Sequence, residues 1–132
     1  MSVLVVDASA LGALVFGEPG AEEIAEVLSH GPMVAPALLW FELTSVCLRK
    51  VSIYPAQKEQ ILIAFLSARK LAIEIGDVDH LEVIELARKT GLTSYDASYL
   101  WLTSHLNGQL VTLDKKLLKA ASKQRLNRER LQ

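Results

Sequence analysis

Apolar residues follow two rhythms along this chain. In the first they run together without polar alternation, as in "SVLVV" at 2–6. Valine-rich runs of that kind suit strands buried on both faces, the usual state of a parallel sheet. In the second they recur at three- and four-residue spacing, which marks amphipathic helices. The two rhythms predict strands over 2–6, 32–36, 71–76 and 109–114, and helices over 8–16, 21–30, 36–51, 55–69, 77–91, 93–108 and 115–126.

Turn and cap residues punctuate the same scheme. "GEPG" at 17–20 is a turn cluster, and Gly31 with Pro32 closes the second helix. Pro36 and Pro55 stand in helix first turns, where their missing N–H costs nothing. Asp79 and Glu82 have capping-box spacing, Ser94 is placed to cap the helix after it, and Gly91 and Gly108 follow helix ends. Strands and helices alternate and hairpin signals are missing. The prediction is an α/β fold: a single domain over 1–132 around a central, mostly parallel sheet of four to five strands.

Composition narrows the class. Of 132 residues, 51% are hydrophobic, enough for a substantial core and against global disorder. No apolar run is long enough for a membrane span. The start lacks a basic stretch and is interrupted by Asp7, so it reads as structure rather than a signal peptide. The single cysteine, Cys47, leaves no internal disulfide or cysteine-rich metal site, and a cytoplasmic protein is the simplest fit. The net charge of −1 hides an asymmetry. Residues 1–114 carry 14 Asp/Glu against 7 Lys/Arg, whereas residues 115–132 carry 7 Lys/Arg and only Glu129. A basic tail on an acidic body points to nucleic acid or a charged partner, or else to a solvated terminal helix.

Candidate chemistry begins with Asp7, alone in the apolar stretch "VLVVDASALGALV". A bare carboxylate among apolar groups is expensive. Asp7 and Asp114 both follow strands, at the carboxyl edge where open α/β sheets keep their ligand crevice, so Asp7 is expected on a cleft rim rather than in the core. Asp96 falls in the first turn of its helix and Glu42 in the second turn of the helix from Pro36. If those helices begin at one sheet edge, four carboxylates share a cleft. Each has a structural alternative: Asp7 and Asp114 as N-caps, Asp96 as a favourable charge at a helix start, Glu42 as a solvated residue. Four close carboxylates either take up protons or bind cations. Oxygen-only ligands select hard ions such as Mg²⁺ or Mn²⁺, and such ions serve phosphate chemistry. The residues thus suggest a metal-dependent phosphoryl-transfer or nuclease site.

The segments "VVDASAL" (5–11), "PALLWFELTSV" (36–46), "LTSYDASYLWLT" (92–103) and "LVTLDKKL" (110–117) together resemble the four acidic motifs of PIN domains, and most closely the VapC-like toxins of toxin–antitoxin pairs. The resemblance implies a three-layer α/β/α fold. It implies that Asp7, Glu42, Asp96 and Asp114 bind Mg²⁺ or Mn²⁺ and hydrolyse RNA, leaving a 5′-phosphate and a 3′-hydroxyl. Ser9 and Thr112 match hydroxyl positions beside the acids, as supports for carboxylates or metal-bound water. It also implies a homodimer and a cognate antitoxin laying an apolar helix in a groove. One departure concerns the end, "KQRLNRERLQ", which is too charged for the apolar last strand common in such chains.

The remaining residues attract simpler readings. His30, His80 and His105 lack metal-ligand spacing. Trp40, Phe41 and Trp101 read as core or interface ahead of base stacking, Cys47 as inert, and Tyr95 and Tyr99, which flank Asp96, as packing ahead of lining the cleft. Leu39, Trp40, Leu43, Val46 and Cys47 form an apolar stripe in a segment richer in such residues than one sheet face needs, which favours a dimer. Lys115, Lys116 and Lys119 would lie beside the acids and could meet RNA phosphates. The leading expectation is a metal-dependent endoribonuclease toxin. A PIN-like module that binds RNA or protein with little turnover stands second, and a Mg²⁺-binding phospho-acceptor receiver domain third.

Overall fold

The computed structural model describes residues 2–131, with side chains described as far as residue 125. Four short strands form one wholly parallel sheet: β1 (Leu4–Val6), β2 (Met33–Ala35), β3 (Ile73–Ile75) and β4 (Gln109–Val111). Their spatial order is β3-β2-β1-β4. The chain starts at β1, steps outward through β2 and β3, then returns to place β4 on the other side of β1. The direction of winding therefore reverses between β1 and β4, which makes that boundary the topological switch point. This order also removes the receiver-domain reading, because the receiver order 2-1-3-4-5 sets β3, not β4, beside β1.

Helices cover both faces. On one lie α1 (Ala8–Phe16), α2 (Ala21–Leu28), α3 (Leu38–Ile53) and α4 (Lys58–Arg69), the last preceded by a turn of 3₁₀ helix at Pro55–Gln57. On the other lie α5 (His80–Thr90), α6 (Ser94–His105) and α7 (Lys115–Leu131). The two-residue period of the strands divides the core accordingly. Leu4, Val6, Ala35 and Val111 pack with Leu11, Leu39 and Leu43, while Val5, Val34 and Leu110 pack with Val83, Tyr99, Leu102 and Leu117. Double-sided burial is why "SVLVV" lacks polar alternation. Each fully buried side chain of this size contributes about 1.5–3 kcal/mol.

Two glycines let β2 and β4 enter the sheet beside β1. A Cβ at Gly31 would stand 2.4 Å from the Ser2 carbonyl oxygen, and one at Gly108 2.7 Å from that of Val3. Gly108 follows the end of α6 as expected and serves both that end and strand entry: Asn107 takes the left-handed conformation, with φ of 51°, and the Gly108 N–H closes on the Thr103 carbonyl at 2.9 Å. The N-cap of α6 is Thr93 instead of Ser94: its Oγ1 accepts the Asp96 N–H at 3.1 Å. At the C-terminus α7 runs on to Leu131, and no fifth strand exists among the described residues. Arg128 and Arg130 of the basic tail lie beyond the described side chains.

The apolar stripe on α3 has a different use from the one expected. Leu39, Leu43 and Cys47 are buried within the domain, and the Trp40 ring is covered by the Arg69 guanidinium at 4.6 Å. Exposed apolar side chains sit on other faces of the same pair of helices: Phe41 and Leu48 on α3, Ile63 and Leu66 on α4. No described helix is long and apolar enough to cross a membrane.

Candidate active site

Asp7 leaves the end of β1 and caps α1, its Oδ1 accepting the Ala10 N–H at 3.0 Å. It is not on a rim: only 4% of its surface is exposed. Its burial is compensated by hydrogen bonds, as a buried carboxylate requires. Ser9 Oγ donates to Oδ1 at 2.7 Å, and Thr112 Oγ1 donates to Oδ2. Each hydroxyl has a single proton, so the 3.3 Å approach of Ser9 to Thr112 joins two oxygens already committed to Asp7. As acceptors, Ser9 Oγ takes the Leu113 N–H and Thr112 Oγ1 takes the Asp114 N–H, both at 3.0 Å. Asp114 in turn caps α7, its Oδ1 accepting the Leu117 N–H at 3.0 Å. One network thus ties the exit of β1 to the exit of β4 across the switch point.

The other two acids come from helices. Glu42, half-buried on α3, accepts the Tyr99 hydroxyl on Oε1 at 2.6 Å. Tyr99 is 1% exposed and belongs to α6, three residues after Asp96 and so on the same helix face. This joins the layers on the two sides of the sheet. Tyr99 thus lines the cleft, the alternative to plain packing, and its three-residue offset from Asp96 is the sequence signal for it. Tyr95, by contrast, is largely exposed.

Electrostatics shows the acids within one another's field. Burial pushes Asp7 above the ordinary aspartate range against the pull of its three hydrogen bonds, and the Asp114 charge adds to the rise. Burial also raises Glu42; Tyr99 opposes this, and the charges of Asp96 and Asp7 reinforce it. Asp96 is raised by burial and then by Asp114 and Asp7, with Lys116 pulling the other way. The Tyr99 phenol is pushed far above its ordinary range by burial and by Glu42, which keeps it a donor. The carboxylates approach without closing into a cage: among the described residues no three His, Cys, Asp or Glu side chains form a ready ligand set. Lys115, Lys116 and Lys119 are exposed on the first two turns of α7, and Lys116 Nζ donates to the Gly91 carbonyl at 3.0 Å.

A parallel sheet that carries acids at the carboxyl edge of its switch point belongs to the open α/β class, with its crevice at that edge. Residues 4–123 match the family model described as PIN domain, and the chain belongs to the PIN-domain family. Among solved structures it is similar to the crystal structure of PAE2754 from Pyrobaculum aerophilum, with a TM-score of 0.65 and 25% sequence identity over 90% of this chain and 86% of that one. No curated protein matches the chain.

Proposed function

We propose that this chain is a metal-dependent endoribonuclease that hydrolyses RNA through Asp7, Glu42, Asp96 and Asp114, and that it acts as a toxin restrained by a cognate antitoxin. PIN domains are, as a class, divalent-metal nucleases. The observation that carries the reading is the approach of acids from four separated segments at the β1/β4 edge: Asp7 feels the Asp114 charge, Glu42 those of Asp96 and Asp7, and Asp96 those of Asp114 and Asp7. Helix capping accounts for Asp7 and Asp114, but it does not call for Glu42 and Asp96 in their field, and a cation would relieve the repulsion. The donor set fits Mg²⁺ or Mn²⁺: all oxygen, mostly carboxylate, and open enough for an ion that keeps several waters. A cation held there supplies an activated water and offsets the charge developing on a phosphodiester oxygen. The chain's own groups prepare the site. Ser9 and Thr112 fix both oxygens of Asp7, and Tyr99 fixes one of Glu42.

A second reading, the binding module, is favoured by the fact that Asp7 and Asp114 also cap helices and so have work without catalysis. A cleavage assay on purified RNA separates the two. Wild type is expected to cut only with Mg²⁺ or Mn²⁺, and Glu42→Gln to lose at least about 100-fold, more than loss of a group that merely supports a ligand. RNA binding without cleavage under either ion would put the module ahead. The assembly part of the proposal is supported by the exposed Phe41, Leu48, Ile63 and Leu66 on α3 and α4. Phe41 and Leu48 are seven residues apart and so share one face of α3, and contiguous exposed apolar faces mark interaction surfaces. A homodimer and an antitoxin helix are the expected occupants; sedimentation at micromolar concentration showing only a 14.5 kDa monomer would count against the dimer. A cytoplasmic location belongs to the same proposal.

A further inference from the structure

Beside the acids the molecule has a second charged feature of opposite sign. The end of α5 and one face of α7 enclose a hollow of about 470 Å³ lined by Lys89, Lys116, Lys119 and Lys123. Leu92, Ala120 and Gln124 also line it. On α7 the lysines recur at three and four residues, which puts them on one helix face. Lys115 falls off that face and does not line the hollow. Lys89, from another element, completes the opposite wall. Four lysines line one groove, and among the described residues no acidic side chain lines it. The arrangement suits a polyanion.

The groove is also fixed relative to the acids. Asp114, one of the four, caps α7, and Lys116 follows two residues later, tied to the Gly91 carbonyl at the C-cap of α5. From Lys116 to Lys123 is seven residues of helix, or about 10 Å. At about 3.4 Å per nucleotide of a stacked strand, this is a track for roughly three nucleotides.

We infer that the groove between α5 and α7 holds the sugar–phosphate backbone of single-stranded RNA on one flank of the cleaved bond, with Lys89, Lys119 and Lys123 as its phosphate contacts. The inference rests on the ribonuclease reading for the chemistry at the acids but not for the binding itself. It extends the contact set to Lys89 and Lys123 and removes Lys115. It also makes the binding one-sided: nucleotides added at one end of a short substrate tighten binding, and those added at the other end do not.

The test uses full-length Glu42→Gln protein, a fluorescent 12-nucleotide oligouridine, and Mg²⁺, with binding measured between 50 and 200 mM salt. Each neutralised phosphate contributes about 0.7 to the slope of log affinity against log salt for single strands. Adding Lys89→Gln, Lys119→Gln and Lys123→Gln together is expected to flatten that slope by about 2. A charge-matched control, Arg49→Gln with Lys58→Gln and Lys70→Gln, is expected to leave it unchanged. In the otherwise wild-type enzyme the groove triple is expected to raise KM at least tenfold with kcat within about twofold. An unchanged slope in the triple, or an equal loss in triple and control, would overturn the groove, as would failure to bind RNA even at 50 mM salt. Groove-dependent binding by a protein that never cuts would uphold the groove and sink the nuclease reading. Metal-dependent cutting with no groove dependence would do the reverse.

Discussion

Asp7 and Asp114 differ from Glu42 and Asp96 in what else they do. The strand-end pair is built into the chain's path, since each caps the helix that follows it. An N-cap is worth about 1 kcal/mol to any helix, whatever the protein does. Glu42 sits inside a helix, half-buried, capping nothing and pushed toward the protonated form. Asp96 gains a little from the first turn of α6 but is raised all the same by burial and by its acidic neighbours. The residues easiest to find in the sequence are thus the weaker evidence for chemistry. The stronger evidence is the pair raised by acidic neighbours for small structural return, the Tyr99 hydrogen bond and a first-turn charge, because perturbed carboxyls of this kind gather at functional sites.

Substitutions that separate stability from cleavage can break that comparison, and they carry the largest expected effect. Glu42→Gln and Asp96→Asn should each lower cleavage at least about 100-fold while leaving urea stability unchanged or higher. Asp7→Ala should lose both, dropping stability by about 2 kcal/mol through the lost cap and the stranded Thr112 hydroxyl. Asp7→Asn should lose cleavage yet keep most of the stability, because its amide oxygen can still accept from Ala10 and its amide nitrogen can donate to Thr112. If Asp96→Asn destabilised the domain as much as Asp7→Ala, the two pairs would not differ as argued.

A smaller effect sharpens the comparison at Glu42. Tyr99→Phe removes the one hydrogen bond that opposes the rise of the Glu42 carboxyl. Cleavage should fall about 10- to 100-fold, the usual cost of losing a group that orients a ligand. The acid limb of the pH–rate profile should move to higher pH, which a packing defect alone would not produce. In the Glu42→Gln background the same change should cost much less, since the partners act as a unit.

The contrast between the pairs also explains what the sequence could tell. The sheet, its helices and the position of Asp7 and Asp114 were legible because strand runs, glycines and caps are local signals. The placement of Glu42 and Asp96 beside them depended on α3 and α6 starting at one sheet edge, which spacing alone could not establish; the resemblance of four motifs to one family supplied it. Burial of Asp7 was not legible, because its partner Thr112 lies 105 residues away. The Lys89 wall of the basic groove was hidden for the same reason. The cap of α6 falls on Thr93 and not Ser94, two adjacent hydroxyl residues between which only cap geometry decides.

A metal titration probes the pairs together. Saturating Mg²⁺ or Mn²⁺, at about a hundred times its Kd, should stabilise wild type by about 2.7 kcal/mol. The gain should shrink in Asp96→Asn, and a melting temperature indifferent to either ion would contradict a shared site.

The smallest effect is the pH dependence of the metal-free protein, and its sign is unusual. Paired carboxylates commonly have lowered pKa values and make a fold lose stability in acid. Asp7, Glu42 and Asp96 are raised instead, from ordinary values of 3.8, 4.5 and 3.8. Between those values and the higher ones of the folded state, the native protein binds more protons than the unfolded chain. Stability therefore falls as pH rises through that window and recovers on acidification toward it. The expected size is a few degrees in melting temperature. Asp96→Asn should flatten the slope, because it removes one raised group and one of the charges that raise Glu42. Asp114→Asn should flatten it too, through Asp7 and Asp96, both of which feel its charge. Mg²⁺ should abolish the slope, since an ion that holds the carboxylates ionised replaces the protons. Thermal melts over the acid range, with and without Mg²⁺, would show this directly. A metal-free protein that gained stability with rising pH across that window would mean that the acids are paired with cations of the chain itself and that no shared anionic site exists.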